Sequence, residues 1–135
     1  MQSKQVLTLE EVKKIAAAAE AKALAHNWQV TISVVDDGGN LLWLQRLDGA
    51  APISAHIAPA KARTAALGRR ETKVYEDMIN NGRFSFITAP NLEGMLEGGV
   101  PITVNGQCVG AVGVSGVKSS EDVQIAKAGI AALKI

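Results

Sequence analysis

The sequence predicts an α+β protein, an antiparallel sheet flanked by helices in the order α-ββ-α-(α)-ββ-α. Three observations predict it. Two segments alternate apolar and polar residues on either side of a Gly-containing turn, the pattern of a half-buried hairpin. Each hairpin is followed by a segment of helical character, so a hairpin-plus-helix unit occurs twice. The chain has 135 residues, enough for one domain with its own core and too few for two, so 1–135 reads as a single domain.

The first helix opens at Thr8. Thr8 as N-cap and Glu11 three positions on form a capping box, with Leu7 and Val12 placed to staple the entry. Leu9, Val12, Ala16, Ala19 and Ala23 recur at helical spacing and make one apolar stripe. The helix should end near His26, with Asn27 taking the left-handed cap. Residues 28–35 read as a strand, because Trp28, Val30, Ile32 and Val34 alternate with polar residues. Asp36-Asp37-Gly38-Gly39-Asn40 is a turn cluster, and 41–47 is the return strand.

A second helix is expected over 54–67, ended by Gly68. Pro59 complicates it, because an interior proline costs about 3 kcal/mol. Either the helix starts later than Ser54 or it is kinked there. A further short helix spans 71–80, closed by Asn81-Gly82. Residues 83–99 hold Pro90, Gly94, Gly98 and Gly99 and read as a long, partly irregular segment. Residues 100–104 and 107–115 are strands joined by Asn105-Gly106, whose residues tolerate positive φ. Ser119, with Asp122 at N3, caps a final helix reaching about residue 133.

Composition narrows the function classes. Net charge is +1, from 14 basic and 13 acidic residues, without the basic excess of a nucleic-acid binder. Aromatic residues are 4% of the chain and are not interleaved with basic ones as a stacking platform requires. The single cysteine, Cys108, permits no intrachain disulfide and no Cys-rich metal site. No signal-like segment and no apolar run of roughly 18 residues is present. A cytoplasmic protein without membrane or nucleic-acid partners is the expectation.

Catalytic motifs are absent. The glycines at 110, 113 and 116 are spaced G-x-x-G-x-x-G, not as a dinucleotide fingerprint. Gly113-Val114-Ser115-Gly116 is not a nucleophile elbow, and Ser115 has no assignable His and Asp partners. Asp36 and Asp37 read as turn residues, and Cys108 as a small, partly buried thiol. Two histidines exist. His56 lies near a helix start, sharing a face with Ala60 and Arg63, and His26 sits at a helix C-terminus. Each has a plain structural reading beside a ligand-contact one.

Four stretches carry a family resemblance. They are Val34-Val35-Asp36-Asp37-Gly38-Gly39-Asn40-Leu41-Leu42, then Ala60-Lys61-Ala62-Arg63-Thr64-Ala65, then Gly98-Gly99-Val100-Pro101-Ile102, and Val109-Gly110-Ala111-Val112-Gly113-Val114-Ser115-Gly116 with Asp122 following. In order and spacing they resemble the GlcG/HbpS family, which includes the C-terminal domain of PduO-type proteins. The resemblance covers nearly the whole chain. It implies a profilin-like, Roadblock-type fold and homo-oligomers, often dimers assembled into octamers. It also implies haem or a related small ligand, with iron ligation that differs between members.

On that resemblance, His56 is the candidate for haem iron and His26 the alternative. Lys61 offers a cation for a propionate or a small carboxylate, whereas Arg63 reads as a solvated helix residue. Gly98, Gly99 and Pro101 would bend the backbone into a strand and admit a ligand. Gly113 and Ser115 would form part of a ligand wall, with close helix-on-sheet packing as the competing account of the glycines. The functional expectation is non-catalytic ligand binding. The alternative is an enzyme or accessory factor acting on a small hydroxy acid, diol or aldehyde in glycolate or diol metabolism.

Overall fold

The computed structural model describes residues 1–135. Helix α1 (Leu9–Ala25) leads into β1 (Thr31–Asp36) and β2 (Leu41–Arg46), followed by α2 (Ser54–Gly68) and α3 (Thr72–Asn80). A 3-10 turn (Phe84–Thr88) interrupts the irregular stretch before β3 (Gly99–Val104), β4 (Gln107–Ser115) and α4 (Ser119–Ala131). The α+β order is the one expected. No helix is long and apolar enough to cross a membrane.

The four strands form one antiparallel sheet in the order β2-β1-β4-β3. Helices α1 and α4 cover one face and α2 the other. The strand period of two divides the core accordingly. Val30, Ile32, Val34, Ile102, Val112 and Val114 pack with Val12, Ile15, Ala19 and Ile125 on the α1/α4 side. Val35 and Ala111 meet Ala62, Ala65 and Ala66 of α2 on the other side. The central strands β1 and β4 are thus buried on both faces, and this is why polar Thr31, Ser33 and Ser115 are also buried.

Thr8 caps α1, accepting from the Glu11 amide at 3.3 Å and donating to the Glu11 carboxylate at 2.8 Å. Leu7 and Val12 are both in the core. Asn27 has φ 55°, the left-handed value its position requires. Asn105 and Gly106, at φ 50° and 78°, close the second hairpin as expected.

Several boundaries differ from the sequence reading. Leu9 is 59% exposed, and Ile15 takes its place in the stripe. β1 begins at Thr31 rather than at 28, because Trp28 turns aside to stack on His26 at 4.3 Å. The late start weighed for the 54–67 helix does not occur, and Gly68 is its last residue rather than the one beyond it. α2 begins at Ser54, keeps Pro59 inside, and ends through Arg69 at φ 59°. Gly68 is helical, and a side chain there would collide with the Tyr75 hydroxyl. The cap of α4 is Lys118, whose amide donates to the Glu121 carboxylate at 3.3 Å, so Ser119 is the first helical residue. Glu121 rather than Asp122 stands at N3, and Asp122 turns inward.

Candidate functional site

The residues singled out from sequence gather around α2. Its run of alanines favours helix and lets the backbone approach the sheet closely. Ser54 anchors the start. Its hydroxyl donates to the Ala51 carbonyl at 2.6 Å, which leaves Thr31 to donate to Ser54 at 2.7 Å. Pro59 has no amide hydrogen, so the Ala55 carbonyl lacks its helical donor.

Lys61, Gly98, Gly99 and Gly113 come together beneath this helix. A side chain on Gly113 would strike the Ala58 carbonyl and the Ala62 amide, and one on Gly99 would strike the Lys61 carbonyl. These two glycines are there for contact between helix backbone and sheet. Gly98 adjoins the Lys61 ammonium, to which an added Cβ would come within 2.7 Å. Pro101 is half-buried on β3, opposite Ala111, and Ser115 is buried on β4, opposite Thr31.

Lys61 is 2% exposed. Its ammonium donates to the Asp122 carboxylate and to the Val114 carbonyl, both at 3.0 Å. Asp122 also accepts from the Val117 amide at 3.2 Å. Burial pushes the Asp122 carboxyl up from the ordinary aspartate range, and the attraction of Lys61 opposes that rise. The cation expected to face a ligand is thus engaged inside the fold. Its partner was read from sequence as a cap; a lysine among alanines on a buried helix face is itself the signal that a counter-charge is needed.

Two threonines hold the irregular segment against the helices. The Thr64 hydroxyl donates to the Glu93 carbonyl and accepts from the Glu93 amide at 3.0 Å. Thr72 donates to the Leu96 carbonyl and accepts from the Gly99 amide at 2.8 Å. Neither threonine was singled out from the sequence for this role.

Both histidines are exposed and stand apart from that cluster. His56 lies on the outward face of α2, on a different side of the helix from Lys61. His26 caps α1 and stacks on Trp28. Two open hollows exist elsewhere. One, of about 450 Å³, is lined by Val6, Leu7, Val104, Val109 and Leu133 among others. The other, of about 480 Å³, includes Lys4, Asp37, Arg69 and Cys108. Neither includes His26, His56 or Lys61. Asp36, the last residue of β1, holds the turn that follows, its carboxylate accepting from the Gly38 and Asn40 amides at 2.9 Å.

Fold and site together define a class: an antiparallel-sheet α+β protein with a glycine-lined helix seat and a solvent-facing histidine on that helix. The model of the family described as "Haem degrading protein HbpS-like" matches residues 7–131, and the chain belongs to that family. It is 57% identical over 115 residues to Protein GlcG of Escherichia coli (strain K12), covering 85% of each chain. A crystal structure of a double mutant of Streptomyces reticuli HbpS superposes with a TM-score of 0.89 at 34% identity, covering 98% of this chain and 90% of that one. The crystal structure of a PduOC:heme complex gives a TM-score of 0.86 at 26% identity, covering 95% of each chain.

Proposed function

We propose that the protein binds haem or a closely related tetrapyrrole without catalysing a reaction on it, through His56 on the outward face of α2. The observation that carries this is the exposed imidazole one helical turn from an exposed apolar side chain, Ile53 at 59%, on an outward helix face. A flat apolar macrocycle would cover that surface, and a neutral imidazole is a common iron ligand. The family description and the haem complex of the PduOC relative support the same ligand. His26 is the alternative iron ligand, since it too is exposed.

His56 borders neither hollow, so this chain would cover only one side of the macrocycle. A second copy is the natural cover for the other, and we propose a homo-oligomer, a dimer or an octamer built from dimers. The glycines, Pro101 and Ser115 support the site indirectly, by seating α2, and Lys61 does so by pinning it.

Titrating the protein with hemin tests the reading. A saturable Soret band at one haem per chain or per dimer, shifted in His56→Ala and not in His26→Ala, is expected. Absence of a saturable band overturns the haem reading. A Soret band that decays with turnover in the presence of a reductant would overturn the non-catalytic part.

A further inference from the structure

The outward face of α2 also bears on how the ligand is recognised. At 3.6 residues per turn, Ile53, His56, Ala60, Arg63 and Leu67 fall within one narrow sector of the helix. Arg63 is exposed, and its stem lies against the β1–β2 turn: a Cβ on Gly39 would sit 3.0 Å from the Arg63 Cγ. The base of the side chain is thereby held. Its guanidinium forms none of the ion pairs in the protein.

Neighbouring cations are otherwise engaged. Lys61 is buried on Asp122. Arg69 donates to the Asp37 and Ala66 carbonyls, Arg46 donates to the Ala50 carbonyl, and Arg70 lies over the Tyr75 ring at 5.6 Å. Arg63 is the unengaged fork on the His56 face, and a planar guanidinium suits a carboxylate in bidentate fashion. Seven residues separate it from His56, about 10 Å along a helix rising 1.5 Å per residue.

We infer that Arg63 receives a carboxylate of the ligand whose metal meets His56. The ligand class is then narrowed to a flat metal macrocycle bearing acid side chains at its rim. This rests on the haem reading above. It moves the propionate contact from Lys61, which is committed to the core, to a residue whose sequence reading was a solvated cation.

The experiment compares hemin with hemin dimethyl ester, whose carboxylates are blocked, on wild type and Arg63→Ala. Arg63→Ala should weaken hemin binding by about tenfold or more, the worth of one charged hydrogen-bonded pair. The Soret position should stay that of wild type, because His56 is untouched. The ester should bind wild type and variant alike. Equal hemin affinity in the two proteins overturns the assignment, as does an equal loss for hemin and ester. Wild type that binds hemin while Arg63→Ala changes nothing sinks the Arg63 contact alone. Wild type that takes up no hemin sinks the haem reading and this contact with it.

Discussion

Lys61 and Asp122 form a buried ion pair, Nζ to Oδ2 3.0 Å, that ties α2 to α4 at the end of β4. Each side chain is 2% exposed. Breaking such a pair leaves a charge without water or partner, which is far costlier than removing both charges together.

Lys61→Met or Asp122→Leu alone should therefore destabilise the protein by about 3–5 kcal/mol. The double variant should cost less than the sum of the two. Urea denaturation of the four proteins in a double-mutant cycle measures this. Strictly additive costs would show that the pair is not coupled.

Gly113 sits where the backbone of α2 touches β4. Gly113→Ala forces the helix outward and should cost about 1–3 kcal/mol, as overpacking in cores does. Thermal unfolding checks it. An unchanged midpoint would mean that the helix seat has slack.

Thr72 satisfies the Gly99 amide and holds Leu96. Thr72→Val keeps the shape and orphans a buried amide, with an expected cost of about 1–3 kcal/mol. Hydrogen exchange should show protection lost at Gly99 and through residues 89–98. Retained protection there would sink the idea that this hydroxyl holds the segment.

Lys4 donates to the Asp37 carboxylate at 2.9 Å and holds its carboxyl below the usual aspartate range. A depressed folded pKa gives stability that is present above the unfolded value of about 3.9 and is lost as pH falls through the folded value. Lys4→Met should abolish that part of the acid loss by lowering stability at neutral pH by the same amount, a small one because the pair is exposed, and should leave stability in acid below the folded value unchanged. Melting temperature against pH for both proteins checks it. Identical acid limbs would refute the coupling.

Pro59 leaves the Ala55 carbonyl without its helical donor. Pro59→Ala restores the donor and should stabilise the protein by up to about 3 kcal/mol. Chemical denaturation reads the gain directly. A loss of stability would mean that the proline's fixed φ contributes more than the missing bond.

Much of the fold was legible because its signals are local. The Thr8 cap, the Asn27 stop and the Asn105-Gly106 turn each depend on a few adjacent residues, and each formed where its chemistry placed it. At Pro59 and Gly68 the outcome turned on tertiary contacts instead. The interior proline is tolerated because α2 is held by its alanines on β1 and β4. Gly68 is required by Tyr75, which packs onto it from α3. Ser119 is not the cap of α4: Lys118 is, with Glu121 at N3, while Asp122 pairs with Lys61 across the fold.

By itself, the sequence determined the order of elements, the two hairpins and the family, since periodicity, turn chemistry and four spaced motifs are properties of the chain. Only the tertiary structure decided what the candidate residues touch. It put 61 residues of separation into a 3.0 Å contact between Lys61 and Asp122. It set Gly99 and Gly113 under a helix backbone, and it left His56 and Arg63 together on the open face. The physical reason is that burial and pairing are set by which faces meet when helices close on a sheet, and no local pattern records that meeting.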